Sequence, residues 1–344
     1  MDDILSQYGL KTDSCILLEF GTGLINRTWK LEDHQSGSFY ILQRINDQIF
    51  NNPGDIDHNI RLLSAHFKAV EPGYLFVTPV QANDGATLLN TTHGFYRLFP
   101  FITGSHSVDV VQAPEQAYEA ARQFGLFTKF SEGVDISQLK ITLVRFHDLR
   151  FRYEQFRKSL RSGDKDRIQK AGSLIDYLSE QSGIVDAYRT FMSNPSFHLR
   201  VTHHDTKISN VLFDEQEKGL CVIDPDTIMP GHFFSDVGDM MRTYLCPVNE
   251  EEMDLDKIIL RPEYYKAILD GYLSAMGDVL TTDEKNNFYW SGQFMIYMQA
   301  LRFLTDHLNN DIYYGANYPG HNFIRAGNQV RLLQRYMEMT ESIG

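Results

Sequence analysis

Between residues 198 and 227 the chain reads HLRVTHHDTKISNVLFDEQEKGLCVIDPDT, and three of its side chains have the types that phosphoryl transfer requires. Asp205 falls in a polar loop, Asn210 follows five residues later, and Asp224 ends an apolar run. A carboxylate orients an attacking hydroxyl and accepts its proton. A magnesium ion bridging nucleotide phosphates needs hard oxygen donors, here the Asn210 amide and the Asp224 carboxylate. Lys207, two residues past Asp205, can neutralise charge on the transferred phosphate. VLF and LCVI flank a charged turn ending at Gly219, which predicts a hairpin between the two metal-ligand candidates.

HHDTKISN fits the kinase catalytic-loop pattern of His, any residue, Asp, then Asn five residues on. Alone that pattern is weak; an Asp at the end of a strand after a short hairpin strengthens it. The bland reading is a surface hairpin with polar caps. Asp226 reads either as a second metal contact or as a turn carboxylate. Ser235-Asp236 reads first as a helix N-cap that also braces the loop.

The elements that must position these groups change texture along the chain. Segments 15–20, 27–33, 38–45, 73–80 and 93–101 read as strands, interrupted by a helix at 56–67. From about residue 113 helical patterns dominate, near 113–130, 143–161, 166–192, 262–276, 283–309 and 322–339. The reading is an α+β fold with a β-rich N-terminal lobe, 1–103, and a larger, mainly helical lobe, 104–344. In the first lobe, Gly21 and Gly23 lie in a strand–loop–strand whose amides can approach phosphates, with Asn26 where a third glycine would fall. Arg44 reads either as a phosphate-pairing cation or as an edge-exposed arginine. Pro100, Phe101 and Ile102 form the candidate hinge for adenine.

Composition narrows the partners. The 344 residues carry 45 acidic against 32 basic side chains, a formal charge of −13 that repels a nucleic-acid backbone. Arg145, Arg150, Arg152, Arg157, Lys158 and Arg161 read as a solvated helix face. No apolar stretch approaches the length of a membrane span, and no signal segment is visible. Three cysteines without paired or metal-ligand spacing suit a reducing cytoplasm.

GTGLINRTW, YILQRIN, FHDLRFRY, THHDTKISNVLFD, VIDPDTIMPG, SDVGDMMR and RFLTDHLNNDIYY resemble the aminoglycoside phosphotransferase/choline kinase group of the protein-kinase-like fold. Within that group the chain is similar to bacterial N-acetylhexosamine 1-kinases, over roughly residues 20–330. The resemblance implies a bilobal fold, ATP and Mg2+, Asp205 as catalytic base, and Asn210 and Asp224 as metal ligands. It further implies phosphorylation of the anomeric hydroxyl of an N-acetylated hexose, with Arg302 and Tyr313 contacting the sugar. Arg302 and Asp306, four apart on a helix, read equally as a surface pair. Two departures stand out: Gln43 occupies the usual position of a phosphate-pairing Lys, and the next helix offers only Asp57 where a Glu is usual. The alternatives are a kinase of choline, ethanolamine, another sugar or an aminoglycoside, and a silent nucleotide-binding pseudokinase. A metallohydrolase built on His203, His204 and Asp205 is poor, because adjacent strand residues face opposite ways.

Overall fold

The computed structural model describes residues 1–21 and 25–343. In chain order its principal elements are α1 Asp2–Gln7, β1 Cys15–Glu19, β2 Arg27–Asp33, β3 Ser38–Ile45, α2 Pro53–Val70, β4 Leu89–Thr91 and β5 Gly94–Pro100. There follow α3 Pro114–Phe130, α4 Leu149–Ser162, α5 Lys165–Lys170, α6 Gly172–Glu180, α7 Gly183–Ser193, β6 Arg200–Thr202, β7 Val211–Phe213 and β8 Gly219–Val222. The last are β9 Met229–Gly231, α8 Phe233–Tyr244, α9 Pro262–Met276, α10 Thr282–Asn286, α11 Phe288–Leu308 and α12 His321–Ile343. They form two compact units. One comprises Met1–His106, Phe130–Val144 and Leu212–Pro230; the other comprises Ser107–Lys129, Arg145–Val211 and Gly231–Gly344. Among the described residues no helix is long and apolar enough to cross a membrane.

The first unit is built on an antiparallel sheet of order β1-β2-β3-β5-β4. Strand alternation sends Leu31, Leu42, Tyr96 and Leu98 into one apolar cluster with Ile4 and Leu5 of α1. Ile45 of β3 joins Phe50 and the α2 residues Ile56 and Ile60 in another. Helix α2 starts with Pro53 in its first turn, where a missing N–H costs nothing. Segment 73–80, expected as a strand, is not one. A ladder-like bond runs from Val80 N to the Leu98 carbonyl, but Gly73 and Pro79 break the extended run. Tyr74 and Phe76 instead pack edge-on against Phe67, at 5.1 and 5.0 Å between ring centres.

In the second unit the expected helix at 166–192 is three helices, with Gly172 and Gly183 opening the second and third. The 283–309 pattern also divides, at Asn287, after a capping box between Thr281 and Glu284. Helix α11 runs through the core with all but a few of its residues buried. Two glycines let its neighbours approach. A β-carbon on Gly238 of α8 would stand 2.3 Å from the Ser291 carbonyl oxygen, and one on Gly292 of α11 would stand 2.3 Å from the Tyr336 ring. This tight crossing fixes α8, the helix that supports the polar loop after β6.

Candidate active site

The loop after β6 carries Asp205 and is held almost entirely through its backbone. His204 adopts a left-handed conformation, φ 65°, which a non-glycine residue keeps only when its surroundings enforce it. The enforcing group is Asp236 in the first turn of α8, wholly buried. Its two oxygens accept the amides of His203 and His204, at 3.0 and 2.7 Å. One turn later Asp239 accepts the Thr206 amide at 2.9 Å, and Tyr244 donates its hydroxyl to the Thr206 carbonyl at 2.6 Å. Asp205, the residue between these anchors, therefore has little freedom. A β-carbon on Gly231 would lie 2.2 Å from Thr202 Oγ1 and 2.4 Å from His204 Nε2, so only glycine allows the chain that close.

Burial pushes the Asp236 carboxyl up to about 7 against the two amide bonds that lower it. Asp239 is also raised by burial, opposed by the Arg242 guanidinium, which itself bridges to Glu250 at 2.8 Å. Ser235-Asp236 does not cap α8: the helix begins at Phe233, with His232 at the cap. The bracing role is the one the structure displays.

Asp205, Lys207 and Asn210 are brought together. Lys207 Nζ stands 3.4 Å from Asp205 Oδ1. Asn210 Nδ2 donates to the Asp205 carbonyl at 2.9 Å, which orients the other end of the amide, Oδ1, as the donor for a hard cation. Asn210 directly precedes β7, and Asp224 lies two residues past the end of β8, so the predicted hairpin forms between them. Asp224 is half-buried and left-handed, φ 59° and ψ 64°. The Asn210 amide oxygen and the Asp224 carboxylate are each, by donor chemistry, a group that magnesium takes.

Asp226, two residues on, is committed elsewhere. Its oxygens accept from Arg97 Nη2 and, at 2.7 Å, from Asn26 Nδ2, the contacts of a structural turn carboxylate. Arg97 and Asp226 are both buried. Gln43 Oε1 also accepts from Arg97, at 3.1 and 2.9 Å. Asn26 is absent from the described left-handed residues; it is needed for its amide, whose oxygen accepts the Asn46 N–H at 3.0 Å. Arg44 lies on the opposite face of β3 from Gln43, its Nε 2.8 Å from where a Gly94 β-carbon would be. Asp57 pairs with Arg61 and Thr87, not with a strand cation.

Gly21 is left-handed, φ 80°, and a β-carbon there would meet nothing within 4 Å. Gly23 lies outside the described residues. Pro100 ends β5 opposite Tyr40. The Phe101 amide donates to the Phe39 carbonyl at 3.0 Å, and the Ile102 carbonyl accepts from Ser105 Oγ at 2.6 Å. The rings of Phe20, Phe39 and Phe101 gather there, with Lys30 Nζ 4.2 Å from the centre of Phe101.

In the second unit Arg302 and Tyr313 also meet, Nη2 to hydroxyl at 3.4 Å. They are joined by Arg152, which is buried although the sequence placed it on a solvated face. Burial raises the Tyr313 hydroxyl, but the Arg302 and Arg152 charges prevail and hold it below its ordinary value. Arg302 does not pair with Asp306, whose oxygens accept the Tyr313 and Tyr314 amides at 2.7 and 2.9 Å. From Arg302 a run of rings leads back to the loop after β6. Its guanidinium is 5.3 Å from the Phe146 ring, Phe146 stacks on His147 at 4.4 Å, and His147 lies 5.3 Å from His204. His203 turns the other way, edge-on to Phe124 and Phe127, so the two histidines share no ligand.

Sequence reasoning missed Arg97, Arg152 and Asp239. For Arg97 a signal existed, since a lone arginine inside the apolar strand FYRLFPF must find a buried partner.

A family model described as the phosphotransferase enzyme family matches residues 16–279. Several solved structures are similar in fold. The microcompartment-associated aminopropanol kinase has 16% identity over 98% of this chain and 97% of that one, with a TM-score of 0.70. A spectinomycin phosphotransferase in complex with ADP and spectinomycin has 12% identity over 98% and 97%, TM-score 0.63. Choline kinase from Cryptosporidium parvum Iowa II has 14% identity over 99% and 95%, TM-score 0.61.

Proposed function

We propose that this chain, which belongs to the phosphotransferase enzyme family, transfers the γ-phosphoryl group of ATP to the anomeric 1-hydroxyl of an N-acetylhexosamine, GlcNAc or GalNAc. Residues 1–103 are assigned to holding the nucleotide and 104–344 to catalysis and the acceptor. Asp205 accepts the hydroxyl proton as the sugar oxygen forms its bond to the γ-phosphorus. The bond from that phosphorus to the bridging oxygen breaks, and ADP and the sugar 1-phosphate leave. Asn210 and Asp224 would hold magnesium, which when bound supplies positive charge to the phosphate oxygens. Lys207, beside Asp205, is assigned to the charge on the transferred group. Gly21, Gly23, Arg44, Pro100, Phe101 and Ile102 remain the assigned nucleotide contacts; the structural contacts of Arg44 with Gly94 and of Phe101 with Phe39 must yield or coexist with them.

The observation that carries this reading is the rigid presentation of Asp205, between a left-handed His204 and an amide-bonded Thr206. Positioning of this kind is what phosphoryl transfer demands, since the protein supplies little covalent chemistry. The acceptor assignment rests on Arg302, Arg152 and Tyr313. Two guanidiniums beside an acceptor disfavour the cationic choline or ethanolamine, which they repel. Buried Cys221 and Cys246 and half-buried Cys15 are free thiols, which suits the cytoplasm.

Asp205→Asn keeps the shape and removes the base. Its kcat is expected to fall by roughly 10²–10⁴-fold, with unchanged thermal unfolding. Steady-state turnover near that of the wild type in this folded variant would remove Asp205 from the mechanism.

A further inference from the structure

The first unit contains a buried polar network that the proposed reaction has not used. Its centre is Asp226, 2% exposed, two residues beyond the proposed metal ligand Asp224. One oxygen accepts from Arg97 in β5 and the other from Asn26, at the end of the loop between β1 and β2. Arg97 also donates twice to Gln43 in β3, and Gln43 Nε2 donates to Thr28 in β2 at 3.2 Å. Thr28, Gln43 and Arg97 stand directly opposite one another in register, so they form one cross-strand row. Helix α2 reaches the same turn separately: Asn59 Nδ2 donates to the Ile228 carbonyl at 2.9 Å. Three strands, the glycine-containing loop and α2 are thus tied to the five residues that begin with Asp224.

A charge pair this deep is not explained by stability, since burying two ions costs about what their attraction returns. Apolar side chains of similar volume would serve a core as well. What the pair adds is directional: two fixed carboxylate bonds, one to a strand and one to a loop. The left-handed Asp224 needs such outside support. Arg97 Nη1, buried and without a partner among the described residues, leaves one further donor in the network.

We propose that Arg97 and Asp226 are positioning residues that couple the β1–β2 loop and strand β3 to the turn carrying Asp224, setting the nucleotide phosphates and the divalent cation in fixed register. This rests on the phosphotransfer reading of Asp224 and the loop. It gives a role to Gln43: Gln43 orients Arg97 and acts on Asp226 through it.

The test uses the full chain and the double variant Arg97→Met/Asp226→Leu, which removes both charges while keeping the volume. Thermal unfolding and calorimetric binding of ADP, with and without magnesium, are measured beside the KM for ATP and for the acceptor. Unfolding near the wild-type temperature is expected, with magnesium–ADP affinity weakened roughly 10–100-fold, as for lost support of a metal ligand. The acceptor KM should stay unchanged. A folded double variant that binds magnesium–ADP as the wild type does overturns the proposal and leaves the pair a packing feature. Should the double variant not fold, Asn26→Ala decides, because it cuts the loop's tether to Asp226, with the acceptor of the Asn46 N–H, and leaves the Arg97–Asp226 pair in place. Weaker magnesium–ADP binding there supports the coupling; unchanged binding refutes it. Wild-type protein that binds no magnesium–ADP refutes the phosphotransfer reading itself, and the proposal with it.

Discussion

Two turns flank the β7–β8 hairpin in sequence, and each holds a left-handed residue that is not glycine: His204 before the hairpin and Asp224 after it. They are supported in opposite ways. The loop of His204 is held by carboxylates that accept main-chain amides, from Asp236 and Asp239 of one rigid helix. The turn of Asp224 is held two residues away, by a side-chain pair between Asp226 and Arg97. A side-chain pair can be deleted as a unit. A carboxylate serving backbone N–H groups cannot, because its partners belong to every sequence. The first device therefore secures geometry at a cost that no substitution relieves, and the second fixes its turn through a pair that substitution can replace as a unit.

The largest expected effect breaks the first support. Asp236→Ala leaves two buried amides without an acceptor, a loss of roughly 2–6 kcal/mol at about 1–3 kcal/mol for each. Urea unfolding should show it, together with lost turnover. Arg97→Met/Asp226→Leu, by contrast, should change unfolding little. If both variants are equally stable, the distinction between the two supports is wrong.

A smaller effect sharpens the same comparison. Asp236 is held near 7 by burial, above the usual 3.8, so the folded protein binds a proton that the unfolded chain has released. The stability tied to that proton is complete below about 3.8 and is lost as pH rises through about 7. In Asp236→Asn the decline in unfolding midpoint between these values should be shallower. An identical slope would show that Asp236 keeps an ordinary acidity.

Much of this was legible in the amino-acid sequence, and for definite reasons. The hairpin was marked by apolar runs around a charged turn, and Asp205, Asn210 and Asp224 by type and spacing. Strands β1, β2, β3 and β5 followed from β-branched and aromatic runs. Segment 73–80 misled because its aromatic residues pack on Phe67 without joining the sheet. The network around Asp226 was not legible, since Arg97 and Asp226 are 129 residues apart and nothing local pairs them. Arg152 was misjudged for a related reason: helical spacing shows which residues share a face, but not what covers it. For Asp236 the bracing role is legible but the cap is not borne out, because Ser-Asp before an apolar run has the local form of a cap while the helix already begins at Phe233. Its actual partners, the amides of His203 and His204, lie more than thirty positions upstream.

The acceptor is where a single measurement bears most directly on the whole reading. The chain is incubated with ATP, magnesium and equal amounts of N-acetylglucosamine, N-acetylgalactosamine, choline and ethanolamine, and the phosphorylated products are resolved by 31P NMR. The expected result is an anomeric sugar phosphate, formed together with ADP. Phosphocholine or phosphoethanolamine as the main product would contradict the acceptor assignment, and ATP left intact with every alcohol would contradict phosphotransfer altogether.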